Sequence, residues 1–168
     1  MKSEEYKDHF LFPSTLFVSK SPVFVTTILG SCVSVCLWDP VLEYGGINHY
    51  MLPLWNGQGL ASPKYGNIAI VKLLDKMLEN GCDRKNIVAK VFGGGEVLQT
   101  TACLFNIGER NTEVALEMLK EFNIRVAGVC TGGVKGRKIV FDTSKGVVIH
   151  RYIEKQTQTI DYASTGDR

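Results

Sequence analysis

The sequence predicts an α/β domain with a largely antiparallel or mixed sheet and two main helices, rather than a doubly wound parallel fold. Three observations carry this. Seven short runs are rich in β-branched and aromatic residues, as strands are. Only two segments repeat apolar residues at intervals of three and four. The first three strand-like runs are joined by links too short for a crossover helix, so that part should be antiparallel.

In chain order, strands are expected at Val23–Thr27, Val33–Trp38 and Gly46–Met51. A helix follows over Asn67–Asn80, with Ile70, Val71, Leu74, Met77 and Leu78 on one stripe, Ser62-Pro63 upstream, and Asn80-Gly81 as the stop. A strand at Ile87–Phe92 precedes the second helix, Thr112–Phe122, where Ala115, Met118, Leu119 and Phe122 form the apolar face. Asn111 or Thr112 has the chemistry of its N-cap, and Glu113 complements the dipole. Strands at Arg125–Val129, Lys138–Phe141 and Val147–Tyr152 complete the set, the last two joined by the turn-forming stretch Asp142–Gly146.

The chain has 168 residues and a mass of 18.6 kDa, enough to bury a core without cross-links. No repeat or linker divides it, so residues 1–153 read as one domain and the polar stretch 154–168 as a frayed tail. Nineteen basic against seventeen acidic side chains leave a net charge of +2, too balanced to argue for nucleic acid or an anionic membrane as partner. The most apolar stretch, Phe24–Trp38, is interrupted by Thr26, Thr27, Gly30, Ser31 and Ser34 and is too short to span a bilayer. The N-terminus carries acids where a signal peptide carries bases, and the five cysteines are irregularly spaced with no C-x-x-C pair. The expectation is a cytoplasmic protein with reduced thiols.

Chemistry concentrates at one place. Thr26-Thr27-Ile28-Leu29-Gly30-Ser31-Cys32 puts a thiol where a glycine-containing turn enters a strand. Substrate can approach the backbone there, and exposed N–H groups can stabilise an oxyanion. If the next two strands pair about the Asp39–Gly45 reversal, His49 returns towards Cys32 and the two can form a thiol–imidazole pair. Cys36, Cys82, Cys103 and Cys130 read as small buried residues, and His9 and His150 as surface residues. Zinc at Cys32, Cys36 and His49 fits poorly, because four residues along a strand separate two side chains by roughly 13 Å. No metal or cofactor is expected. Gly93-Gly94-Gly95 lacks the Gly-Lys-Ser/Thr ending of a phosphate loop and reads as a structural turn or, with Gly30 and Ser31, as a cleft wall.

Taken together, Thr26-x-x-x-Gly30-Ser31-Cys32-Val33, Gly46-x-x-His49-x-Met51-Leu52-Pro53, Lys64-Tyr65-Gly66, Lys90-Val91-Phe92-Gly93-Gly94, Asn106-Ile107-Gly108-x-Arg110-Asn111 and Gly132-Gly133-x-x-Gly136-Arg137-Lys138 resemble the CheD family of chemoreceptor glutamine deamidases. The chain departs from the family pattern at Gly95-Glu96-Val97 and at Cys130-Thr131. The resemblance implies a single-domain α/β sandwich similar to the catalytic domain of cytotoxic necrotising factor toxins. It also implies a cysteine-dependent protein-glutamine glutaminase, with Cys32 as nucleophile, His49 as general base and acid, and Thr26 as the residue that orients His49, Thr27 being its immediate neighbour. Its substrates would be the cytoplasmic helices of methyl-accepting chemoreceptors, with glutamyl methylesterase activity as a companion. The alternative is a regulatory binding module that acts through a CheC-type chemotaxis phosphatase.

Overall fold

The computed structural model describes residues 5–97 and 104–154; Cys103 and the expected tail beyond Glu154 lie outside the described residues. In chain order the elements are β1 (Lys7–Phe10), β2 (Leu16–Ser19), β3 (Val23–Leu29), β4 (Val33–Asp39), β5 (Tyr44–Asn48), α1 (Gly66–Glu79), β6 (Val88–Gly93), α2 (Ile107–Glu121), β7 (Arg125–Thr131), β8 (Gly136–Asp142) and β9 (Val148–Ile153). The strands form two sheets, ordered β1-β3-β8-β9 and β2-β5-β4-β6-β7. Both are mixed: β1 runs parallel to β3 and β6 parallel to β7, and the other pairs are antiparallel.

Strand β4 shows why the layers stack as they do. Its residues Val33, Val35 and Leu37 join Ala69, Ile70, Leu73 and Met77 of α1 and Val114, Ala115 and Leu119 of α2 in one buried cluster. On its opposite face Cys36 packs with Val25, Leu29, Ile139 and Phe141 of the four-stranded sheet. A strand covered on both faces must be apolar or small throughout, as Val-Ser-Val-Cys-Leu is. Each fully buried aliphatic side chain contributes about 1.5–3 kcal/mol to this helix, sheet, sheet stack.

All seven expected strands and both helices are present. Two short strands, β1 and β2, were not expected. Lys-Asp-His-Phe carries too much charge to read as a strand and forms because its backbone pairs with β3. The first three expected strands do not make one antiparallel unit. β4 and β5 pair as expected, but β3 belongs to the other sheet and pairs with the distant β8. A short link can cross between layers as readily as it can turn a hairpin, and Gly30-Ser31-Cys32 makes that crossing. The start of α2 also differs. It begins at Ile107, with Asn106 at the N-cap in the left-handed region (φ 51), which places Asn111 and Thr112 inside the helix. Gly108 permits this: a Cβ there would lie 2.5 Å from the carbonyl oxygens of Gly94 and Gly95. The Asp142–Gly146 turn forms as expected, with Gly146 at φ 69.

Candidate active site

Cys32 sits at the exit of the crossing link, one residue before β4. The ladder that pairs Cys36 with Ile47 continues to Val33 and Tyr50, which exchange backbone hydrogen bonds of 3.1 and 3.0 Å. In this register Cys32 is the diagonal neighbour of His49 on the face between the sheets, a relation that sets Cβ atoms roughly 7 Å apart. Thiol and imidazole can span that gap, although no hydrogen bond joins them among the described residues. Catalytic contacts in a resting site often tighten only when substrate binds.

His49 is only 2% exposed, and its ring is held from the other sheet. Nδ1 lies 2.7 Å from Thr27 Oγ1, and that hydroxyl is 2.8 Å from the Leu11 carbonyl oxygen. A carbonyl can only accept, so the single hydroxyl proton of Thr27 goes to Leu11 and the hydroxyl oxygen accepts from Nδ1–H. This fixes the tautomer and leaves Nε2 with its lone pair free to act as a base. The residue that holds His49 is therefore Thr27, which corrects the expectation of Thr26. The period of two along a strand decides it. Val25, Thr27 and Leu29 of β3 point into the sandwich, and Thr26 lies with Asp8, Phe24, Val140 and Ile149 along a separate outer groove.

The cleft walls expected at Gly30, Ser31, Gly93 and Gly94 divide in two. Ser31 lines a groove of about 370 Å³ together with Cys32, Met51, Leu52, Lys64, Phe105 and Ile107. Gly30, Gly93 and Gly94 brace the backbone behind the thiol: Gly94 N–H donates to Cys32 O and Gly95 N–H to Gly30 O, both at 2.9 Å. Asn111, which the sequence suggests only as a helix cap, donates from Nδ2 to Ser31 O at 2.9 Å and to Met51 O at 3.0 Å. Its place in Asn106-Ile-Gly-x-Arg-Asn111 is the only signal of it in the sequence.

Burial dominates the electrostatics. It pushes the Cys32 thiol up to about 11, against a smaller lowering by the residue's own backbone N–H, and pushes His49 down to about 4. Between those limits both groups are neutral, so the resting site holds thiol and imidazole rather than an ion pair. Alkylation of Cys32 by iodoacetamide should accordingly accelerate about tenfold per pH unit through the neutral and alkaline range and level off only near pH 11. Mass spectrometry of the Cys32 peptide reads this. A fast rate already constant from pH 6 upward would show a preformed thiolate instead.

The remaining thiols differ. Cys36 and Cys82 are buried in the two cores. Cys130 Sγ stands 3.7 Å from His150 Nε2 and 3.5 Å from Arg137 Nη1, so His150 is not the plain surface residue its sequence suggests. Cys130 is not among the residues that line the groove beside Cys32. His9 stacks on Phe17 with 4.1 Å between ring centroids. Among the described residues no group of three His, Cys, Asp or Glu side chains is placed to hold a metal ion.

The family model described as CheD chemotactic sensory transduction matches residues 51–152. The chain is 48% identical over 152 residues to a probable chemoreceptor glutamine deamidase CheD of Trichlorobacter lovleyi, covering 90% of this chain and 94% of that one. It is 45% identical to the protein of the same name in Sulfurimonas denitrificans, covering 90% and 97%. The chain belongs to the CheD family. In a chain of 168 residues, a matched stretch of 152 necessarily includes Thr27, Cys32, His49 and Asn111. This CheD-family protein also has a TM-score of 0.41 to the crystal structure of Neisseria meningitidis protein NMB0706, at 10% identity, covering 76% of this chain and 63% of that one. Among its described residues no helix is long and apolar enough to cross a membrane.

Proposed function

We propose that this CheD-family chain is a cytoplasmic protein-glutamine deamidase that converts glutamine side chains on chemoreceptor helices to glutamate, with Cys32 as nucleophile. The observation that carries the reading is the Thr27 hydroxyl locked against His49 Nδ1, because it frees Nε2 on the face that also bears Cys32. The names of the relatives supply the substrate class.

Because thiol and imidazole are both neutral at rest, proton transfer accompanies attack. His49 Nε2 takes the thiol proton as sulfur adds to the glutamine carboxamide carbon, and the carbonyl becomes an oxyanion beside the Cys32 backbone N–H. Collapse breaks the C–N bond, and the imidazolium gives its proton to the departing nitrogen, which leaves as ammonia. Water, deprotonated by His49, then cleaves the thioester to glutamate and regenerates the thiol. The apolar groove formed by Met51, Leu52, Phe105 and Ile107 suits the flank of a helix that presents one glutamine. A glutamyl methyl ester would enter the same cycle with methanol as the leaving group.

Incubation with cytoplasmic fragments of the organism's own chemoreceptors, followed by peptide mapping, tests the activity: defined glutamines should become glutamates. A module that works only by binding a CheC-type phosphatase would leave every glutamine intact. Thr27→Val should lower turnover roughly ten- to a hundredfold, as loss of an imidazole-orienting partner does, while Thr26→Val stays within about twofold. The reverse order in the same assay would remove Thr27 from the mechanism. Cys130→Ser should deamidate receptor fragments at the parental rate; a dead Cys130→Ser protein would move the nucleophile to the Cys130–His150 pair.

A further inference from the structure

We propose that Asn111 is a positioning residue that aims the oxyanion-binding N–H of Cys32, an inference that rests on Cys32 being the nucleophile. Beyond Val33 and Tyr50 no further residue pair extends the ladder between β4 and the chain after β5, yet Ser31 and Met51 must stay in register for Cys32 to face His49. Asn111 closes that gap. Its one amide nitrogen gives a hydrogen to each of the two carbonyls, at 2.9 and 3.0 Å. Two donors diverging from a single short side chain is a capacity asparagine has and serine, threonine or aspartate lacks.

The contact to Ser31 does more than tie two segments together. Ser31 C=O and Cys32 N–H belong to the same planar trans peptide, so they point in opposite directions. Holding the carbonyl against α2 turns the N–H away from the helix, where it favours the thiolate form of the Cys32 sulfur. An oxyanion formed when that sulfur attacks a carbonyl would lie beside this donor. Asn111 is fully buried and anchored in turn, its backbone carbonyl accepting from the Tyr50 hydroxyl at 2.5 Å. Its Oδ1 is buried with no hydrogen-bond partner among the described residues. A polar side chain held at that cost is not placed for packing, since a leucine or methionine would fill the space without it.

The test compares two reactions of one sulfur. Deamidation passes through a tetrahedral oxyanion; alkylation by iodoacetamide does not. Asn111→Ala and the isosteric Asn111→Asp should lower kcat for receptor fragments by about a hundredfold or more, with KM within about threefold. Cys32 alkylation at pH 9 should stay within about twofold of the parent. Asn111→Asp should regain activity as pH falls, because a protonated carboxyl restores one donor, whereas the parent stays level down to the His49 limit near pH 4. Deamidation by both variants within threefold of the parent would overturn the inference. So would parallel loss of deamidation and alkylation with a collapsed melting temperature, which marks a purely structural role. Failure of the underlying reading is distinguishable, because it would appear as full activity in Cys32→Ala.

Discussion

Cys32→Ala is expected to lower receptor deamidation by at least about a thousandfold, because it removes the thiol that carries the acyl group and that His49 deprotonates. The fold should survive. Cys32 is only partly buried and its sulfur makes no hydrogen bond to another residue among those described, so the stability change should stay within about 1 kcal/mol. His49→Ala should cost roughly 10²- to 10⁴-fold in kcat, the range of a lost general base. It should leave Cys32 alkylation nearly unchanged, since the resting pair is uncharged. These results separate base catalysis from an ion-paired thiolate: in the latter, His49→Ala would slow alkylation and deamidation together. Peptide mapping of the receptor fragment and thermal unfolding of both variants provide the measurements. A Cys32→Ala protein that still deamidates would end the assignment.

The parts of this site that lie along one stretch of chain are legible in the sequence, and the parts that depend on two layers meeting are not. Cys32 after a glycine turn and His49 across the Asp39–Gly45 reversal follow from local rules, and the observed register of β4 and β5 places them as the spacing suggests. Thr26 and Thr27 cannot be separated that way. Which of two adjacent strand residues points inward depends on which sheet the strand joins, and β3 joins the sheet opposite the thiol. Asn111 escapes local rules for a related reason. An asparagine near a helix start looks like a cap, and only the close approach of Gly108 to Gly94 and Gly95 lets the helix start earlier and carry Asn111 inside. Arg137 illustrates the same limit. It is a cation in a strand and is fully buried, with its guanidinium donating to the carbonyls of Cys130 and Gly132, partners that no local rule points to. Gly132 N–H then bonds Gly93 O, so a cation on β8 supports the loop behind Cys32.

That loop gives the second large effect. Gly93 has φ 108, and a Cβ placed there would overlap Cys32 O and lie 3.2 Å from the Val33 Cα. Both atoms are backbone, so no side-chain rotation relieves the collision. Alanine must either push Cys32 away from β6 or break the pairing of Gly93 with Val33. Strain of this kind costs about 3 kcal/mol, which for a chain of this size lowers the melting temperature by roughly 6–12 °C. Deamidation should fall at least about a hundredfold even where the variant is folded, because displacing the thiol by about 1 Å suffices. Gly128→Ala is the matched control: it also lies in a strand, but its Cβ would meet only the Lys90 side chain, at 3.6 Å. Gly128→Ala should behave as the parent in unfolding and turnover. Parental stability and activity in Gly93→Ala would mean that the backbone behind Cys32 yields freely and that Gly93 does not hold the thiol in place.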